Sequence, residues 1–372
     1  MTIAFIAGTT AEIIKLSPLM RALRDNGTGY EFWNSAWHVD GLRATLEDLG
    51  LPQPDEHLID PRRQKPVAHT SQVPGWGLRI AAHVVRHRRR LRRQLFADGP
   101  PLVVVHGDTF TTVLGSVIGR FLGAPVAHVE AGLRSGDIRN PMPEEINRRV
   151  VARLARLHFA PTQRDVDNLR RERAKGRIVL TGANTAIDTL RRTLGDREPP
   201  VPLPEEFGLV TLHRFELLRN KTDFEETLRL LSSASSDLPL VMTVGDSERA
   251  RIDELELGTL FDEQFRLVPK QPYARFLPIL ARASFVVTDS GGLQEECAIL
   301  GIPCAVQRQA TERHQGIGEN VLLTRLDADL LRGFLADWES YRRPSQLDEF
   351  HPTAVIMDCL REEQYVEPAR TG

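Results

Sequence analysis

Short runs of apolar residues recur along the chain, each followed by a longer segment whose apolar positions return every three or four residues. The short runs suit strands buried on both faces and the longer ones helices with one packed face, so their alternation predicts an α/β fold with parallel sheets. In the first half Ile3–Ala7, Leu102–His106, Pro125–Val129, His158–Ala160 and Ile178–Thr181 are expected strands. Residues 12–25, 77–96, 110–122, 144–155, 163–173 and 184–194 are the expected helices, completing a first domain over 1–194. Residues 195–206 hold four prolines in twelve positions, a composition that resists helix and central strand alike and reads as a linker. The pattern then restarts, with Phe207–Leu212, Leu240–Val244, Phe265–Val268, Phe285–Thr288 and Pro303–Val306 as strands of a second domain over 207–350. The segment 351–372 is expected to pack back on the N-terminal domain. Two Rossmann-like domains facing a central cleft are the architecture this pattern predicts.

Composition narrows the function classes. The 372 residues are 41% hydrophobic and 26% charged, which suits two globular domains. No apolar run approaches the roughly 18–20 residues that span a bilayer. The N-terminus lacks a basic segment and turns polar at Thr9-Thr10, too early for a secretory signal, so a cytoplasmic location is expected. With 48 Lys+Arg against 50 Asp+Glu, no overall pull toward nucleic acid or a membrane surface is expected, and an anionic ligand must be held by local groups. Cys297, Cys304 and Cys359 show no CxxC spacing, so neither a disulfide framework nor a zinc site is indicated, and they read as small buried hydrophobes. Residues 86–93 carry six arginines, but Ile80, Val84, Val85, Leu91 and Leu95 fall at buried-face spacing without interleaved aromatics. A solvated or subunit-facing basic helix face is therefore favoured over a nucleic-acid surface.

The unusual residues concentrate where strands run into helices, the place where open α/β sheets bind ligands. Gly8-Thr9-Thr10-Ala11-Glu12, with Lys15 one turn on, could admit phosphate or sugar close to the backbone, or could be a tight turn that needs glycine. Asp108 ends one strand and starts a helix, where it could serve chemistry or merely cap the helix. Glu130 ends the next strand, and Glu144 opens a further helix. Three acidic positions at successive loops could face one pocket, where neighbouring carboxylates raise one another's pKa and divide acid and base roles between them. In the second half Ser290, Gly291 and Gly292 open a helix after a strand, so their N–H groups could cradle a diphosphate, with a plain N-cap as the alternative. Glu296, one turn in, could take two ribose hydroxyls. His213 and Arg214 end that domain's first strand, and Arg313 follows its last predicted strand by a short loop.

Together these residues resemble a known series. His106-Gly107-Asp108-Thr109, His128-Val129-Glu130-Ala131-Gly132-Leu133-Arg134, Pro143-Glu144-Glu145-Ile146-Asn147-Arg148, Thr211-Leu212-His213-Arg214, Thr288-Asp289-Ser290-Gly291-Gly292-Leu293-Gln294-Glu295-Glu296 and Thr311-Glu312-Arg313 resemble, in order and spacing, the motifs of the UDP-N-acetylglucosamine 2-epimerases. The match runs over roughly residues 3–325. The resemblance implies the two-domain GT-B architecture and a UDP-N-acetylhexosamine substrate. It also implies anti elimination of UDP across C1–C2, giving a 2-acetamidoglucal that is re-protonated and re-added on the other face, with no redox cofactor and no metal. Carried over, Asp108, Glu130 and Glu144 become the acid/base carboxylates, and His213 a cation beside the departing diphosphate. Ser290, Gly291, Gly292 and Glu296 become the UDP site, Arg148 and Arg313 add positive charge, and Lys15 and His38 contact substrate. Homodimers are the family's usual state.

The departures matter as well. The family's Gly-Thr-Arg-Pro-Glu loop has Thr10-Ala11 here, which removes a cation facing the substrate. The Gln-His pair after the second strand is Trp37-His38, and an expected His-Pro-x-His element reads Val244-Gly245-Asp246-Ser247. The stretch Glu312–Val321 leans toward the hydrolysing branch of the family, whereas the first-half motifs are of the non-hydrolysing kind. The leading expectation is a non-hydrolysing 2-epimerase interconverting UDP-GlcNAc and UDP-ManNAc. The alternatives are a hydrolysing 2-epimerase releasing ManNAc and UDP, a GT-B glycosyltransferase or sugar-nucleotide lyase on the same donor site, and a non-catalytic nucleotide-sugar binder.

Overall fold

Thirteen strands form two parallel sheets among the described residues. The computed structural model describes residues 2–37, 41–60, 62, 67, 70–97, 99–135, 142–194 and 198–367. In the first sheet are β1 (Ile3–Ala7), β2 (Tyr30–Asn34), β3 (Glu56–His57), β4 (Leu102–His106), β5 (Val126–Val129), β6 (Leu157–Ala160) and β7 (Arg177–Leu180), in spatial order 3-2-1-4-5-6-7. The second contains β8 (Gly208–Thr211), β9 (Leu240–Val244), β10 (Phe265–Pro269), β11 (Phe285–Thr288), β12 (Cys304–Val306) and β13 (Val321–Leu323), in order 10-9-8-11-12-13. Both are Rossmann-type sheets. Each therefore has a switch point where strand order reverses, between β1 and β4 in one and between β8 and β11 in the other.

Helices cover both sheets because the strands are apolar on two faces. Ile6, Trp33, Val103 and Val105 share one core with Ile80, Val84, Leu91, Ile118 and Leu122. Val210, Met242 and Val287 share another with Phe224, Leu228, Leu231 and Phe334. One close approach bears directly on the site. A Cβ at Gly115 would lie 2.8 Å from Val105 Cγ1, and one at Gly119 2.9 Å from Val126 Cγ2. These glycines let the helix Phe110–Leu122 lie flat on the sheet, which fixes its first turn at the end of β4.

The chain divides into two compact units. The first holds the described residues up to Thr189 together with those from Phe350 onward; the second runs from Leu190 to Glu349. The division falls inside the helix Ala186–Leu194, upstream of the proline-rich stretch expected as the linker. Arg191 belongs to the second unit, where its guanidinium donates to the Leu347 carbonyl. Residues 198–206 carry no helix or strand, and 195–197 lie outside the described residues. Within the first unit, the helix Pro352–Glu362 packs on the helix Thr10–Asp25.

Candidate active site

At the end of β5, Glu130 is buried and adopts a left-handed backbone conformation, φ 65°. A non-glycine residue held there costs on the order of 1 kcal/mol and persists only where its surroundings fix it. They do so here. Lys15 Nζ lies 2.6 Å from Glu130 Oε2, His106 Nε2 lies 3.3 Å away, and Asn184 Nδ2 donates to the same oxygen. Lys15 comes from the first helix, His106 from β4 and Asn184 from beyond β7, so three elements meet on one carboxylate.

Asp108 does not cap the helix Phe110–Leu122; Thr109 does, its hydroxyl accepting from the Thr112 N–H. The Asp108 carboxylate is thus left for another partner, and Arg148 takes it. Nε and Nη2 of Arg148 reach Asp108 Oδ2 at 2.8 and 2.6 Å, and Asn147 Nδ2 donates to the Asp108 carbonyl at 2.8 Å. Arg148, expected to add positive charge at the UDP site, thus lies on Asp108 and Glu145. Glu130 and Asp108, two of the three carboxylates expected to share a pocket, each carry a cation of their own. Glu144 opens the helix Glu144–Leu154 half-buried, whereas its neighbour Glu145 is fully buried.

Glu12 is a residue the sequence reading left out. Its Oε2 accepts from the Gly8 N–H (2.9 Å), the Thr9 N–H (2.8 Å) and the Thr9 hydroxyl (3.0 Å), while Oε1 accepts from Thr109 Oγ1 at 2.6 Å. The Thr9-x-x-Glu12 spacing is a capping-box signature and could have revealed it. Thr10 opens the helix Thr10–Asp25, so Lys15 is this loop's cation. Trp37 packs edge-on against Trp76 and stacks on Phe110, and His38 lies outside the described residues.

In the second unit the buried Asp289 carboxylate accepts the N–H groups of His213 (2.9 Å) and Arg214 (2.7 Å) and lies 3.4 Å from His213 Nδ1. Desolvation lowers the His213 pKa below its ordinary value against the opposing pull of Asp289, which favours the neutral ring in the ligand-free site. Ser290 caps the helix Gly291–Leu300, but its own N–H donates to Thr288 Oγ1 at 3.0 Å. The expected three-donor cradle is therefore reduced to the N–H groups of Gly291 and Gly292, first-turn donors that the helix itself cannot satisfy. Arg313 runs along Gly291, where an added Cβ would come within 3.2 Å of its Cγ, and pairs with Glu295 at 2.7 Å. Tyr273, also missed, donates to Glu296 Oε1 at 2.6 Å. Glu312 gathers Arg308 (3.2 Å), Arg313 (3.9 Å) and Arg214 (4.0 Å); burial works to raise its pKa, but these cations hold it at about 2.

Among the described residues no cluster of His, Cys, Asp or Glu is arranged to hold a metal ion, and no helix is long and apolar enough to cross a membrane. Two Rossmann-type sheets, one with paired carboxylates at its switch point and the other with a glycine helix start and arginines, define an α/β enzyme of the GT-B-like class. Residues 78–332 match the family model for UDP-N-acetylglucosamine 2-epimerase. The UDP-N-acetylglucosamine 2-epimerase of Bacillus subtilis is 35% identical over 356 residues, covering 92% of this chain and 89% of its own. That of Methanocaldococcus jannaschii is 31% identical over 340 residues, covering 87% and 88%. The crystal structure of the M. jannaschii UDP-GlcNAc 2-epimerase in complex with UDP-GlcNAc and UDP superposes with a TM-score of 0.77 at 27% identity, over 98% of this chain and 100% of that one. The chain belongs to the UDP-N-acetylglucosamine 2-epimerase family and is an enzyme of the sugar-nucleotide isomerase class.

Proposed function

We propose that the chain interconverts UDP-GlcNAc and UDP-ManNAc without hydrolysis, by elimination and re-addition of UDP. A carboxylate takes the C2 proton, the C–H electrons form the C1=C2 bond, and the C1–O bond breaks with its pair leaving on the β-phosphate oxygen. A proton returns to the opposite face of C2 and the diphosphate re-adds at C1, so substrate and product have the same atoms. The observation that carries this reading is Glu130, held in a strained backbone conformation with Lys15 and His106 on one oxygen. An ammonium at that distance stabilises the charged carboxylate, the form that accepts a proton. Asp108 and Glu144 are the remaining acid/base candidates. Gly291, Gly292 and Glu296 would hold UDP, and Arg313 beside Gly291 adds charge. An arriving diphosphate would raise the pKa of His213 and draw a proton to it, so that this ring stabilises the leaving group only in the complex.

Incubating the protein with UDP-GlcNAc in deuterated water should give deuterium at C2 of both UDP-hexosamines, with the UDP total bound to sugar unchanged. Free ManNAc and UDP would instead establish the hydrolysing reaction, and turnover only with an added acceptor a transferase. Absence of both C2 deuterium and UDP-ManNAc sinks the proposal.

A homodimer is part of the same reading. The helix Phe110–Leu122 buries Thr111, Gly115, Ile118 and Leu122 yet leaves Val117 and Phe121 exposed, and the helix Val73–Leu95 that packs on it leaves Leu78 and Val85 exposed. A surface helix that is apolar on its outward side calls for cover. Light scattering should show a dimer for the native chain and a monomer for Phe121→Glu; a monomeric native chain would contradict it.

A further inference from the structure

Glu145 takes part in none of the steps above, although it is fully buried among charged side chains. Its Oε2 accepts from Arg148 Nη1 at 3.1 Å and from the Ser135 N–H at 3.2 Å, while Oε1 accepts from Arg149 Nη2 at 3.1 Å and Nε at 3.2 Å. Arg134 stands 3.9 Å away. Arg134 and Arg149 share a second carboxylate, Glu172, at 2.6 and 3.0 Å. Arg148 shares Asp108 instead.

Among the described residues the three arginines thus meet three carboxylates, one of them the candidate acid/base group. A guanidinium is a planar fork, so holding one edge dictates where the other edge points. Glu145 holds the Nη1 edge of Arg148, and the Nε and Nη2 edge then meets Asp108 Oδ2. Asn147, on the same helix, holds the Asp108 carbonyl. A buried anion with this many donors is costly to keep unless its geometry serves some purpose, because a buried ion network is often replaceable by apolar packing without loss of stability. We propose that Glu145 is a positioning residue for Asp108, acting through Arg148 to fix the direction and charge of that carboxylate. This rests on the epimerase reading above.

The test compares Glu145→Gln with Glu145→Asp in the full-length protein. Glu145→Gln removes the charge but nearly keeps the shape, so the Nη1 edge of Arg148 loses this anionic partner while Asp108 stays on the Nε and Nη2 edge. We expect kcat for UDP-hexosamine interconversion to fall about tenfold with KM within about threefold, since a misaimed acid/base group affects the chemical step more than binding. The Asp108 carboxyl 13C resonance, assigned with Asp108→Asn in aspartate-labelled protein, should move away from its native position, because the guanidinium edge that holds it is no longer fixed from the other side. Lys15, Glu130, His106, Glu144 and Glu12 are unchanged in both variants, so the change is due to position 145. Glu145→Asp keeps the charge on a shorter arm and should lower kcat about threefold, with the Asp108 resonance closer to native than in Glu145→Gln.

Native kcat in Glu145→Asp, or a loss of rate in Glu145→Gln with the Asp108 resonance unmoved, would reduce Glu145 to a structural part and overturn the proposal. Should Glu145→Gln fail to fold, the Glu145→Asp arm decides alone. A native enzyme that exchanges no deuterium at C2 overturns the epimerase reading and leaves the Asp108 resonance to judge this one. Exchange in the native enzyme, together with an unaffected Glu145→Gln, overturns this assignment only.

Discussion

The two sheets solve one topological problem in mirrored ways. At each switch point two loops must be held side by side, and in each unit a buried carboxylate ties one loop to the other. In the first unit Glu12, in the first helical turn after β1, holds the loop before it and reaches Thr109 in the loop after β4. In the second, Asp289, from the loop after β11, reaches back to the N–H groups of His213 and Arg214 after β8. The direction of the tie decides what remains available for chemistry. Glu12 occupies the backbone donors of its own loop and leaves side chains, Lys15 and Asp108, to act. Asp289 occupies the donors of the opposite loop, while the first-turn N–H groups of Gly291 and Gly292 have no acceptor within their own helix, an arrangement that suits an anion. One unit is thereby suited to proton transfer, the other to holding a nucleotide.

Cutting the two ties should therefore break different functions. Asp289→Ala leaves two N–H groups without an acceptor and frees the His213 loop. We expect a loss of about 2–3 kcal/mol in denaturant unfolding and UDP affinity at least about tenfold weaker by calorimetry. Glu12→Ala loosens the Asp108 loop instead, and kcat should fall on the order of 100-fold with UDP affinity within about twofold. If both variants lose UDP affinity equally, the division of labour between the units is wrong.

A smaller effect separates the units by pH. His128 and His158 are register partners on β5 and β6, both buried in the first unit. Burial pushes His128 down to about 3 against only partial support from its bond to the Gly107 carbonyl at 2.7 Å, and His158 is likewise lowered by burial. Both rings are neutral when folded, and unfolding lets them charge below about 6.5. The unfolded chain then binds more protons, so this stability is complete above about pH 6.5 and is lost as the pH falls toward 3. For His128 alone the loss amounts to roughly 2–3 kcal/mol between pH 6.5 and 4.5. Thermal unfolding of His128→Gln should show a flatter acid limb than the native protein; an unchanged limb would place the acid sensitivity elsewhere.

What the sequence made legible follows the same physics. Ile3–Ala7, Leu102–His106, Leu240–Val244 and Phe285–Thr288 coincide with observed strands because a strand buried on both faces reads as an unbroken apolar run. β2 breaks its run with Glu31 and Asn34, β3 has two residues, and β13 has three, so none was visible. The site's loops could be found from their motifs, but the pairings within them could not. Arg148 meets Asp108 across forty positions, and Asn184 meets Glu130 across fifty-four. Such contacts are set by sheet order rather than by spacing along the chain. Local detail at the helix starts was also out of reach: the cap is Thr109, next to Asp108, and the Ser290 N–H turns back to Thr288. Helix boundaries are where sequence patterns are weakest.

The mildest test concerns Tyr273, which sharpens the nucleotide side of the contrast without breaking a loop. Its hydroxyl donates to Glu296 Oε1 at 2.6 Å, and burial raises the phenol well above its ordinary pKa, so it remains a donor throughout the working range. Glu296 is the residue expected to take the ribose hydroxyls, and the phenol fixes where its carboxylate points. Tyr273→Phe removes one charge-assisted hydrogen bond and little volume, and part of the loss is recovered because the freed oxygen can accept from the ligand. UDP affinity should therefore weaken by only about threefold, with kcat at saturating substrate within twofold of native. A fall in kcat without a change in UDP affinity would place Tyr273 with the proton-transfer groups, against the division argued from Glu12 and Asp289.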